Sequence, residues 1–177
     1  MSRFLKKFSI TTTIVGAAVL LVGVGLYSAG ARVNTTKSIP VGIYWMTDAP
    51  VEKGAYVIFC PPQVGVFDDA KERGYIGAGF CPGGYGFMMK RVLAAKGDRV
   101  SMLVEGVFVN GQVVPFSASK LVDGGGLPLP RPLGVDVLLA DDEVLLMASN
   151  PKSFDGRYFG PIQRSQIKST LLPVFTW

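Results

Sequence analysis

There is no histidine anywhere in the chain. That absence removes Ser-His-Asp and Cys-His catalysis, along with the imidazole metal sites. Cysteine is nearly as scarce. Cys60 and Cys81 are the only two thiols, too few for a four-thiolate zinc centre, and they leave open either one disulfide or two buried free thiols. Charge is sparse as well, at 18% of residues with a net of +5. The basic residues are scattered, with Arg91, Lys96 and Arg99 the only loose cluster. A basic stripe interleaved with aromatics is missing, so no nucleic-acid partner is expected. An enzyme built from this chain and working near neutral pH must draw its base from Lys, Asp, Glu or a terminal amine.

What the N-terminus does have is a long run without charge. Phe8 to Ala31 contains no charged residue and follows Arg3, Lys6 and Lys7. About 23 helical residues cover roughly 34 Å, enough for a ~30 Å hydrocarbon core. The early cations favour a cytoplasmic N-terminus and place the rest of the chain outside the cytoplasm. The small residues Ala29-Gly30-Ala31 also suit a cleaved signal peptide, which would leave a soluble exported domain. The expected organisation is an anchor or signal segment over 1–31 and an exported domain over 32–177.

Beyond Ala31 the pattern changes to short apolar runs bounded by Gly, Pro, Asp and Asn, within 22 Gly and 12 Pro overall. β-branched and aromatic content predicts strands over 41–46, 55–60, 87–95, 99–104, 106–109, 135–140, 143–148 and 166–175. Asn110-Gly111 predicts a two-residue hairpin, because both central positions of a type I′ turn take positive φ. "DDAKER", 68–73, is the one soluble helix expected, short and exposed. The Gly- and Pro-dense stretch 117–134 predicts a long surface loop, and "GAGFCPGGYG" reads as loop too. The fold class is all-β, on one N-terminal membrane-directed helix.

Three stretches carry chemistry. "NTTKSIPVGIYW" places Ser38 seven residues past Ala31, within roughly 25 Å of a membrane face even if fully extended. In "GFMMKRVLAAKGDRV", strand alternation puts Lys90 on one face with Met88 and Val92. Such a lysine either snorkels from an edge strand or is desolvated into a general base. An ordinary lysine is neutral at pH 7 only about once in 2,500 molecules, so the second role demands a large shift. In "SNPKSFDGRYFGPI", Ser153, Asp155 and Arg157 alternate, and on an extended segment they share one face as a hydroxyl, a carboxylate and a guanidinium. Two S-x-x-K matches, Ser117 to Lys120 and Ser165 to Lys168, lack the S-D-N and K-T-G partners of penicillin-binding enzymes.

Together the three stretches resemble the signal peptidase I superfamily of membrane-bound serine-lysine proteases. "KRVLAAKGDRV" is similar to its lysine box and "SFDGRYFG" to its late S-x-D-x-R-x-x-G box. "SIPVGIY" is closest to the TraF-type conjugal transfer peptidases, which mature the pilin of plasmid conjugation systems. The resemblance implies a β-rich catalytic domain of coiled sheets, with Ser38 as nucleophile and Lys90 as general base. It implies that Ser153 orients the amine, that Asp155 and Arg157 hold the site, and that Thr36 and the Ser38 N–H bind the oxyanion. It further implies a pilin precursor as partner at the bacterial inner membrane, with the catalytic domain in the periplasm. The acyl-enzyme would be resolved by the pilin's own N-terminus to give a cyclic subunit. General leader-peptide hydrolysis and a non-catalytic, membrane-tethered role in pilus assembly are the alternatives. Where leader peptidases have Met-x-Pro this chain has Ile39-Pro40, and Gly156 replaces a common Ser; these departures favour pilin over leader peptides. The chemistry requires neither metal nor organic cofactor.

Overall fold

The computed structural model describes residues 3–177; Met1 and Ser2, at the start of the segment assigned to 1–31, lie outside the described residues. A single helix, α1 (Arg3–Ser28), takes up the uncharged run. Its stretch Lys7–Ser28 is long and apolar enough to cross a membrane, and the rest of the chain covers none of it. Gly30, at φ 109°, turns the chain out of the helix. Arg32 then reaches back: its guanidinium lies 4.0 Å over the Tyr27 ring, and Nη1 donates to Tyr27 O at 2.7 Å. A cation on a carbonyl of the last turn suits the negative end of a helix. It also fixes the direction in which the chain leaves α1.

Twelve strands follow, with two short helices among them. β1 (Ala31–Asn34), β2 (Gly42–Thr47) and β3 (Tyr56–Phe59) precede α2 (Gly65–Glu72). β4 (Ala78–Cys81), β5 (Met88–Ala94), β6 (Arg99–Leu103), β7 (Gly106–Val109), β8 (Gln112–Val113), β9 (Asp136–Leu138) and β10 (Glu143–Met147) come next. α3 (Gly156–Phe159), β11 (Ile162–Gln163) and β12 (Ile167–Thr176) complete the chain. Seven strands form one sheet in the order β1-β2-β12-β3-β5-β10-β11, and four form a second in the order β8-β7-β6-β9. Neighbours in both sheets pair antiparallel, β12 lying between β2 and β3. The domain after α1 is therefore built from sheet, as expected for an all-β fold.

The core has three parts, and each borders the sheet that carries Lys90. Val57, Phe59, Phe67, Tyr85, Val92 and Leu146 pack in the largest. Val100, Met102, Val107 and Leu145 fill the space between the two sheets. Ile39, Tyr44, Ile58 and Leu171 form the third, under the β1–β2 turn. Full burial of each such side chain stabilises the fold by roughly 1.5–3 kcal/mol.

Four readings of the sequence need correction. β1 lies where no strand was expected, because pairing with β2 satisfies the backbone as soon as the chain leaves α1. The soluble helix starts three residues before Asp68 and is not simply exposed. Phe67 and Ala70 are buried along one side, the Phe67 ring 4.8 Å from that of Phe159, so packing rather than helix propensity sets its start. The Gly-rich stretch contains β4 and a 3-10 turn over Pro82–Gly84. Residues 156–159 are helical rather than extended. The hairpin at Asn110-Gly111, both at positive φ, joins β7 to β8. No helix or named strand interrupts 117–134, where a single bridge joins Val122 to Pro128. Cys60 and Cys81 are bonded to each other, tying the end of β3 to β4.

Candidate functional site

Ser38 sits in the turn between β1 and β2, and the turn is organised by a residue just before it. Asn34 ends β1 with its side chain buried. Its Nδ2 donates to the carbonyls of Thr36 (2.7 Å), Ile39 (2.9 Å) and Pro40 (3.0 Å). Its Oδ1 accepts from the Thr36 amide at 3.2 Å and the Thr36 hydroxyl at 3.0 Å. One side chain thus ties down the backbone on both sides of Ser38. Tyr44, fully buried, adds a 2.6 Å bond from its hydroxyl to Pro40 O. Ile39 drives into the third core cluster, so the residue that departs from Met-x-Pro serves as a hydrophobic anchor beside Ser38.

Lys90 approaches from below, in the interior of the large sheet. On β5 it pairs with Val57 of β3, while β10 flanks the other side of the strand. The snorkelling alternative fails because this is a central strand and Lys90 is only 3% exposed. Its Nζ donates to Ser38 Oγ at 2.9 Å. Burial pushes the amine down from an ordinary 10.5 to about 8; Asp155 pulls it up against that and Arg157 pushes it down further. With the proton removed, the same 2.9 Å contact lets Nζ accept from the Ser38 hydroxyl.

The third stretch closes the site, by a geometry different from the one expected. Asp155 caps α3 and accepts the Arg157 amide at 3.2 Å. Arg157, one residue into the helix, folds its guanidinium back onto the same carboxylate, Nε to Oδ1 at 2.8 Å and Nη2 to Oδ2 at 3.0 Å. The Ala148 amide donates to Oδ2 at 2.9 Å. Arg157 also donates to the carbonyls of Phe116 and Ala148, each at 3.0 Å. Burial pushes the Asp155 carboxyl up and Arg157 pulls it down; with four donors directed at its two oxygens, we read it as the carboxylate. Gly156 is needed between them, because a Cβ there would lie 2.6 Å from Leu146 O. The Ser common at this position elsewhere has no room here.

Ser153 also reaches the site, though not at the expected atom. Its hydroxyl lies 3.3 Å from Ser38 Oγ, against the nucleophile candidate rather than in a bond to the Lys90 amine. Thr36 lines the cleft beside Ser38, with its hydroxyl proton committed to Asn34. The Ser38 backbone N–H has no backbone partner among the described residues. Sequence reading missed Asn34, although an Asn at a strand end before a turn is a signal that could have found it.

Two cavities flank Ser38. A cleft of about 540 Å³ opens over Ser38, Lys90, Tyr75, Ser153 and Tyr158. On the other side a smaller one of about 240 Å³ is lined by Val33, Ile76, Gly77, Phe87 and Met89. A hydroxyl held against a desolvated amine between two cavities can attack a carbonyl laid across them. No group of three or more metal-ligating side chains occurs among the described residues.

The model of one protein family, described as "Signal peptidase, peptidase S26", matches residues 5–176. The plasmid transfer protein TraF of Escherichia coli is 64% identical over 178 residues, covering 100% of both chains. A probable conjugal transfer protein TraF of Sinorhizobium fredii is 38% identical over 167 residues, 91% of this chain and 87% of that one. Among solved structures, a signal peptidase I from Enterococcus faecalis is 14% identical at a TM-score of 0.40, covering 71% of this chain and 100% of the other.

Proposed function

The chain belongs to the signal peptidase, peptidase S26 family, and from that premise we propose a membrane-anchored serine-lysine endopeptidase that matures a pilin precursor for conjugative plasmid transfer. The observation that carries the reading is the 2.9 Å contact between Ser38 Oγ and the buried Lys90 Nζ. Neutral Lys90 takes the Ser38 proton as Oγ attacks the scissile carbonyl. The Ser38 N–H stabilises the oxyanion, and Thr36 supplies a second donor once its hydroxyl turns away from Asn34. Collapse breaks the peptide bond, and the leaving amine takes its proton from the Lys90 ammonium. An acyl-Ser38 ester remains. Asp155 and Arg157 fix the floor of the site, and Ser153 positions Ser38 Oγ.

Two nucleophiles can resolve that ester. Water gives a linear acid, whereas the pilin's own N-terminal amine gives an amide and a head-to-tail ring. The amine wins only if the bound precursor holds it close enough to raise its effective concentration above that of water. The relatives' role in plasmid transfer supports pilin as the substrate.

We read α1 as an inner-membrane anchor with the domain on the periplasmic side, a reading supported by its apolar length and by the positive charges of Arg3, Lys6 and Lys7 at its N-terminal end. Gly30 and Ala31, where a signal could be cleaved, are folded into the sheet, Gly30 O accepting from Met46 N at 2.9 Å; this supports retention of 1–31. Val33 pairs opposite Ile43, Ile43 opposite Phe175, and all three are exposed together with Trp177. An apolar patch rimmed by aromatics on the strands nearest α1 suits the headgroup layer.

The test is the mass of the product when the full chain, in membranes, meets the pilin precursor. A product lighter than the linear acid by one water is expected. A linear product alone would remove the cyclisation step and leave a hydrolytic peptidase.

A further inference from the structure

The lysines of the domain divide into two groups. Lys53 and Lys96 pair with Asp98 and Asp141, and Lys71 donates to Gly83 O. Lys37, Lys120 and Lys152 are exposed and line the cleft over Ser38. None of their ammonium groups takes part in a salt bridge or side-chain hydrogen bond among the described residues. Lys168, on β12 and away from the cleft, is the other lysine without a partner.

The three come from separate segments, and each segment is fastened. Lys37 belongs to the turn that Asn34 ties down. Lys120 donates its backbone N–H to Tyr158 OH at 3.2 Å, and Lys152 donates its own to Asn150 Oδ1 at 2.9 Å. The backbone is held while the ammonium groups remain free. The one acid on the cleft wall is Asp123, whose carboxylate accepts from Tyr75 OH and from the amides of Gly125 and Leu127. These bonds hold its carboxyl below the usual range, so its charge persists but is already partnered. The open end of the cleft therefore faces substrate with three free cations against one occupied anion.

We propose that Lys37, Lys120 and Lys152 select substrate segments that carry a carboxylate close to the scissile bond. The inference rests on the peptidase reading of Ser38. A carboxylate in reach of these ammonium groups arises either from an acidic side chain or from the free C-terminus of a segment cut near its end. Both are attracted by the same field, which acts over a Debye length of about 8 Å at physiological salt. Each exposed contact contributes about two- to fivefold in affinity, as solvated ion pairs do.

Binding separates this claim from the chemistry. The probes are neutral-dye-labelled nine-residue Ala/Gly peptides with Glu or Gln at the centre and a free or amidated C-terminus. Each is titrated by anisotropy into the full chain in detergent, with Ser38→Ala blocking turnover. The Glu peptide with an amide end, or the Gln peptide with a free end, binds about tenfold tighter than the Gln amide, and which of the two does so identifies the source of the carboxylate. The preference shrinks as salt is raised. The triple variant Lys37→Gln, Lys120→Gln, Lys152→Gln loses the preference yet still binds the neutral peptide, and Lys168→Gln changes nothing. Equal binding of acidic and neutral peptides, or a preference that survives the triple variant, overturns the proposal. A charge preference in a wild-type chain that cleaves no precursor would instead sink the peptidase reading alone.

Discussion

Replacing Lys90 with Met is expected to cut precursor processing by about 10⁴-fold or more while making the protein more stable. The loss follows from removing the base of a unit in which nucleophile and base act together; losing either member of such a unit costs nearly the whole effect. The gain in stability follows from the same burial that makes the base. Lys90 falls from 10.5 to about 8 on folding, so the unfolded chain binds the extra proton more readily than the folded one. That penalty is present in full below about pH 8 and disappears as the pH rises through the unfolded value. A shift of this size is worth on the order of 3 kcal/mol at neutral pH. Met, apolar and similar in length, removes it and raises the melting temperature by roughly 5–10 °C. Ser38→Ala should abolish processing equally without that gain. Processing and thermal melting of the two variants check the pair; unchanged processing in both would mean a tethered assembly factor rather than an enzyme.

The second large effect is expected at Arg157. Its guanidinium and the Asp155 carboxylate are 1% and 0% exposed, so neither can fall back on water. Arg157→Met leaves a buried charge unpaired and strips donors from the Phe116 and Ala148 carbonyls. Breaking a buried pair from one side costs about 3–5 kcal/mol. The melting temperature should fall by roughly 10 °C or more. Freed of Arg157, the Asp155 charge acts more strongly on Lys90 and raises its pKa, so any remaining activity needs a more alkaline pH. The double variant Asp155→Asn, Arg157→Met should be milder than Arg157→Met alone, because no lone charge is left behind. A single variant that melts like the wild type would contradict the structural role given to this pair.

Those residues were legible in the sequence to different depths. Lys90 was readable because strand alternation is rigid: with Met88 and Val92 buried, the residue between them faces the same way. The elimination of His left lysine as one of few bases. What alternation could not say was whether β5 lay at an edge or in the middle of the sheet, since β3 and β10 come from distant parts of the chain. That choice decides between a snorkelling lysine and a desolvated one. The Ser153 to Arg157 stretch was recognised by spacing but misread in shape, because a capping carboxylate followed by one helical turn brings residues two apart together just as a strand face would. Asn34 escaped notice since its importance lies in three carbonyls that only a closed turn assembles. The cations of the cleft were invisible for a similar reason: Lys37, Lys120 and Lys152 are far apart in sequence and share nothing until the loops fold around α3.

The central claim is that Ser38 is activated by a lysine whose burial, not a histidine, makes it basic at working pH. The pH dependence of kcat/KM for precursor processing tests it most directly. Activity should rise with a single apparent pKa of about 8 and level off by roughly pH 10, the neutral amine being the active form. Activity that keeps climbing past pH 10 would mean an ordinary, solvated lysine and would contradict the account.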